Sequence, residues 1–170
     1  MEEILDVFDI KGNYMGSKPR SYCHGENPGV YHKAVWIWIV NSKNEILVQK
    51  RSALKKKSPN KWDMPAAGHV ASGESVINTC IRETNEELGL NVKKEDFIFL
   101  KELTIQSGWE LAQIYLLKID VDISNIKLQK EEVEEVKWLS FEEFKKLLYS
   151  PDFCNHSKEY KDWVCEVLKR

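Results

Sequence analysis

The sequence predicts an α/β (α+β) fold, a mixed β-sheet sandwiched between helices, and three observations predict it. Runs of aliphatic, β-branched and aromatic residues of strand length recur between turn-prone segments. One long central segment carries helical periodicity, and two further amphipathic segments close the chain. Strands mixed in this way with helices bury both faces of a sheet. At 170 residues the chain is expected to form one domain, 1–170.

The elements follow in order. Ile4 to Ile10 and Tyr31 to Asn41 read as strands, each followed by turn-prone residues such as Lys11-Gly12-Asn13 and Asn41-Ser42-Lys43-Asn44. Ser17 to Gly29, holding Pro19, Gly25, Asn27 and Pro28, reads as a loop with room for a short pairing segment. Glu45 to Arg51 is expected to return antiparallel to the Tyr31 strand as a hairpin. Ala53 to Trp62 carries Lys55, Lys56, Lys57 and Lys61 around Pro59, so it is a basic loop leading into Trp62 to Val70. A helix runs from Glu74 to Leu88, then strands at about Phe97 to Ile105, Glu110 to Ile119 and Val133 to Leu139. Ser140-Phe141-Glu142-Glu143 fits a capping box opening a helix that Pro151 ends. Tyr160, Trp163, Val164, Val167 and Leu168 form the core-facing stripe of a last helix.

A net charge of −2 gives no general attraction to nucleic acid polymers or anionic membranes, so binding of an anionic ligand must rest on a local site. The longest apolar run, Ala34 to Val40, is too short to span a bilayer, and the start MEEILDVF lacks a signal-peptide layout. A cytoplasmic protein is expected, acting as a monomer or homodimer. Cys23, Cys80, Cys154 and Cys165 lack metal-site or redox spacing and read as reduced structural thiols.

The central helix contains a contradiction. At about 100° per residue, Val76, Ile77, Cys80, Ile81, Thr84 and Leu88 make its packing face, and Glu83, Glu86 and Glu87 form one arc overlapping its edge. Glu87 projects between Val76 and Cys80. Acids three and four residues apart repel by about 0.2–0.5 kcal/mol per pair. Gly89 reads as the C-terminal cap, so Glu86 and Glu87 occupy the last turn, where an anion loses about 0.3–1 kcal/mol. Stability alone would select Lys or Arg there. A hard cation such as Mg²⁺ or Mn²⁺ resolves the misfit by taking the carboxylate oxygens. A solvated acidic face with Arg82 paired to Glu86 is the competing reading of the helix alone.

The neighbouring residues decide between them. Gly68, Glu74, Arg82-Glu83, Glu86-Glu87 and Gly89 followed by Leu90 stand at the spacing of the Nudix box, and the segment resembles that motif at eight of nine specified positions. With seven single-residue positions at a background near 7% each, a chance match is on the order of 10⁻⁸ per window. Thr84 replaces the usual aliphatic residue, a change on the packing face expected to cost little. The resemblance implies a Nudix fold and hydrolysis of a small-molecule diphosphate substrate, a nucleoside diphosphate derivative, with Mg²⁺ or Mn²⁺. It further implies that Glu83, Glu86, Glu87 and the Gly68 carbonyl are metal ligands, and that Glu74 and Arg82 tie the loop to the helix. Glu74 is read as lying in the helix's first turn.

Carboxylate-held metal screens the diphosphate charge and activates water, and one carboxylate serves as general base. Glu86 is the first choice; Glu110, Glu131, Glu132, Glu134 and Glu135 compete. Lys50 and Arg51 are candidate phosphate contacts. Trp36, Trp38, Trp62 and Trp109 are candidates for stacking on a base or for the core. From Ile4 to Leu139 the flanks, including His32-Lys33-Ala34-Val35 and Gly68-His69-Val70, resemble the Nudix branch related to isopentenyl-diphosphate isomerase. That isomerase uses a cysteine before the box, where this chain has Met64-Pro65-Ala66-Ala67, and two acids in a later strand, where Glu110-Leu111-Ala112 keeps one. A hydrolase is therefore preferred to an isomerase-type enzyme or a non-catalytic ligand-binding module. His32 and His69 match isomerase metal ligands, or they are hydrogen-bonded scaffold.

Overall fold

The computed structural model describes residues 2–26 and 28–169. Met1, Asn27 and Arg170 lie outside them, and with Asn27 one residue of the loop expected over Ser17 to Gly29.

A mixed nine-stranded sheet is built around β3 (Tyr31–Val40). Along one edge β3 pairs in parallel with β8 (Glu110–Lys118), from His32↔Glu110 to Val40↔Lys118. β8 pairs antiparallel with β7 (Phe97–Ile105). The other edge of β3 is shared by β1 (Ile4–Phe8), β6 (Ala66–His69) and β4 (Ile46–Arg51). β4 carries β9 (Val133–Leu139) and the short β5 (Trp62–Asp63).

The expected hairpin between β3 and β4 closes only at its mouth, through Val40↔Ile46. β6 takes the edge of β3 that β4 would have used, with Ala34↔His69 to Ile37↔Ala66, so β4 diverges and finds β9 and β5 instead.

α2 (Val76–Leu88) covers one face. Its Val76, Ile77, Cys80, Ile81 and Leu88 pack on Val35, Ile37, Ile39 and Leu47. α3 (Phe141–Leu148) and α4 (Lys158–Leu168) cover the other, with Phe144, Leu148, Tyr160, Val164 and Leu168 on Trp38, Ile46, Val48, Ile114 and Leu116. Each such side chain stabilises the fold by about 1.5–3 kcal/mol when fully buried. Strict alternation along β3 sends odd residues to α2 and even residues to α4.

Two short elements were not resolved from the sequence. β2 (Tyr14–Pro19) is an edge strand on β1, and α1 (Arg20–Cys23) is a single turn beyond it. β2 buries no residue, so backbone pairing holds it and no apolar pattern marks it. All four cysteines are free, and Cys80 and Cys154 are pushed up to about 12 by burial. Among the described residues no helix is long and apolar enough to cross a membrane.

Candidate active site

Sequence places α2 by standard signals. The Ser75 hydroxyl accepts the Asn78 N–H at 3.3 Å, and Gly89, at φ 66°, turns its N–H back to the Asn85 carbonyl at 2.8 Å. Between these caps Glu83 and Glu87 are buried, at 9% and 6% exposure, whereas Glu86 faces solvent. Glu74 does not lie in the first turn as read from the sequence. It precedes the Ser75 cap, because the cap's extended backbone starts the helix only at Val76.

From that position Glu74 reaches Arg82, with Oε1 3.1 Å from Nε and Oε2 3.0 Å from Nη2. The same guanidinium donates to the His69 carbonyl at 3.1 Å, to Glu83 at 2.6 Å and to Glu86 at 3.2 Å. Arg82 thus joins the loop, the end of β6 and two of the three acids. Gly68 lies closer still: a Cβ there would stand 2.0 Å from the Glu83 carboxyl carbon, so any side chain at this position would displace the carboxylate from its place under β6.

Glu87 has no arginine. Among the described residues the one hydrogen bond to its carboxylate is from the Gln49 amide at 3.3 Å. Burial pushes the Glu87 carboxyl well above the usual range, and the charges of Glu83 and Glu132 push it further. Burial also raises Glu83, against the pull of Arg82. A buried pair of carboxylates of which only Glu83 has an arginine, beside the glycine of β6, suits a hard divalent cation, which Glu83, Glu86, Glu87 and the Gly68 carbonyl could hold.

Of the competing acids, Glu132 and Glu110 approach this region. Glu132 is near enough to raise Glu87 and forms an ion pair with Lys55. Glu110 sits opposite His32 across the β3–β8 pair and is raised by burial, against the nearby charges of His69 and Lys57. Glu131, Glu134 and Glu135 are exposed. Arg51 spends its donors on the Lys57 carbonyl, at 3.1 and 3.3 Å, and lies 3.5 Å from Asp63, so it clamps the basic loop; Lys50 stands opposite Trp62 and Glu135. Of the four candidate tryptophans, Trp38 is core, Trp62 lies under Lys137, Trp109 tilts against Tyr31, and Trp36 faces His156 and Tyr160.

His24 was not singled out from the sequence, yet it completes a cluster with His32 and His69. One ligand atom from each lies within 4.8 Å of the others. His24 Nε2 stands 3.1 Å from His69 Nε2, and His69 Nδ1 is 3.5 Å from Glu3. His32 is fully buried and neither ring nitrogen has a partner among the described residues, against the scaffold reading of this residue. Leaving such groups unsatisfied costs about 1–3 kcal/mol each. Burial, with the neighbouring imidazoles, lowers His32 to about 3 and His24 to about 4. They are neutral at pH 7, the form in which imidazole ligates a borderline cation. His24 sits in a loop whose periodicity says nothing; only the chain's return over β6 brings it in.

A family model described as NUDIX domain matches residues 30–163. Nudix hydrolase 3 of Arabidopsis thaliana is 36% identical over 163 residues, covering 89% of this chain and 21% of that protein, so the chain spans about a fifth of its length. Isopentenyl-diphosphate Delta-isomerase of Corynebacterium glutamicum is 29% identical over 147 residues, 80% of this chain and 76% of the relative. A crystal structure from Deinococcus radiodurans superposes with a TM-score of 0.75 at 20% identity, covering 99% of this chain and 98% of that one, a likeness of fold.

Proposed function

This chain belongs to the Nudix superfamily, and from that premise we propose that it hydrolyses the diphosphate linkage of a nucleoside diphosphate derivative by attack of water on phosphorus, as a single cytoplasmic domain. The observation that carries this reading is the pair of buried, raised carboxylates Glu83 and Glu87 within one turn of exposed Glu86. Mg²⁺ or Mn²⁺ held there supplies charge screening and a water of lowered pKa. Glu86, open to solvent, takes the proton of the attacking water. Glu74, Arg82 and Gly68 hold the acids in place. Lys50 and Arg51 are assigned to the phosphates, Arg51 with the donor capacity left beyond the loop clamp.

The test gives purified protein with Mg²⁺ or Mn²⁺ a panel of nucleoside diphosphate conjugates and isopentenyl diphosphate, followed by phosphorus NMR. Phosphoric anhydride cleavage that Glu87→Gln abolishes is the expected result; turnover of isopentenyl diphosphate without phosphate release would establish the isomerase instead. The histidine cluster beside Glu110 favours that second reading. Against it, Trp62 to His69 holds no thiol, and the Cys154 thiol docked beside β5 is buried and pushed up to about 12.

For either chemistry, His24, His32 and His69 form a second, nitrogen-rich cation site. Dialysis against Zn²⁺ or Mn²⁺ followed by metal analysis should find one equivalent that His32→Leu loses and Glu87→Gln keeps. Equal metal content in wild type and His32→Leu would remove this site.

A further inference from the structure

One group of polar side chains beside β5 is used by neither the acids nor the histidine cluster. The segment between α3 and α4 docks on β5 like another strand: Trp62 N–H donates to the Asp152 carbonyl and Cys154 N–H to the Trp62 carbonyl, both at 2.8 Å. His156 N–H then bonds back to the Cys154 carbonyl at 3.0 Å, a three-residue turn that swings the imidazole over β5. The ring lands 5.4 Å from Trp36 and 5.1 Å from Tyr160, centroid to centroid.

There its Nε2 is 3.1 Å from Asp63 Oδ1. Asp63 is buried but held: the Met64 N–H donates to Oδ1 at 3.0 Å, and Arg51 Nη1 lies 3.5 Å from Oδ2. Burial opposes its charge, yet the bond from His156 and the charges of His156 and Arg51 outweigh it and hold the carboxyl below its usual range. The carboxylate accepts the Nε2 proton, which leaves Nδ1 as the nitrogen that can meet a ligand. Nδ1 has no partner among the described residues and, unlike the nitrogens of His32, is not sealed from solvent.

Its neighbours lead toward both clusters. Asp63 stands directly opposite Gln49 across the β4–β5 pair, and Gln49 reaches Glu87. On the other side the charge of His156 acts on Glu110, the neighbour of His32.

We propose that His156, aimed by Asp63, contacts the substrate, its Nδ1–H donating to a phosphoryl oxygen of the diphosphate. The contact rests on the hydrolase reading above. The imidazolium then lies between the Asp63 carboxylate and the substrate anion. Asp63, Arg51, Glu110, Tyr160 and Cys154 are the titratable or charged groups around it.

The probe is methylenediphosphonate, a diphosphate analogue that cannot be hydrolysed, titrated calorimetrically into the full chain with Mg²⁺. Wild type should bind; His156→Leu should weaken binding about 10–100-fold, and Asp63→Asn should weaken it less. Because these variants can lose the fold, the ¹⁵N resonances of His156 in wild type supply a second reading: Nδ1 moves on binding and Nε2 stays. Wild-type binding with a stationary Nδ1 resonance, or unchanged affinity in His156→Leu, would overturn the contact while the hydrolase reading stands. No binding by wild type would overturn both.

Discussion

α2 and α3 are both amphipathic helices capped by serine, and they treat charge in opposite ways. In α3 the Ser140 hydroxyl accepts the Glu143 N–H and the Glu143 carboxylate accepts the Ser140 N–H at 2.9 Å. Glu142 and Glu143 occupy its first turn and Lys145 and Lys146 its last. Every charge agrees with the helix dipole. α2 has no acid in its first turn and no base in its last, and its acids crowd the C-terminal half, two of them buried. α3 is built as a stability-only helix would be; α2 departs from that pattern where a cation would sit.

The largest expected effect breaks the α2 side of the comparison. Glu87→Gln and Glu86→Gln should each lower kcat/KM by about 10²–10⁴-fold with the fold intact by circular dichroism. In α3 the same kind of change should do the reverse: Ser140→Ala removes the cap and costs about 0.5–2 kcal/mol in urea unfolding, with kcat/KM unchanged. A smaller effect concerns Thr84, whose sealed hydroxyl has no partner. The exchange for an aliphatic residue is costlier than it looks from the sequence, and Thr84→Val should raise stability by about 1 kcal/mol.

The smallest effect is in pH dependence. Glu87 is raised in the folded protein, so its contribution is fully favourable below its ordinary value of 4.5 and is lost as pH rises through the folded value. In EDTA the Tm of wild type should therefore fall further behind that of Glu87→Gln as pH rises from 4.5, and a gap independent of pH would contradict the shift.

Much of this was legible because it is periodic. The 3.6-residue repeat put Glu87 on the edge of the packing face, and the structure buries it there. Gly68 and Glu74 were found by spacing, and contacts with Glu83 and Arg82 give each a physical reason. What was not legible depends on chain returns. β6 displaces β4 from β3, a competition for one strand edge that neither strand's own pattern records. His24 and His156 sit in turns, and each acquires meaning only from β6 or β5 across the chain.

The most direct measurement of the central claim, that the acids of α2 are there for a cation, is thermal unfolding of wild type and Glu87→Gln at pH 8 in EDTA and in Mg²⁺. The variant should melt higher than wild type in EDTA, and Mg²⁺ should raise wild type while leaving the variant nearly unmoved. A variant that melts lower in EDTA, or that gains as much from Mg²⁺ as wild type does, would contradict it.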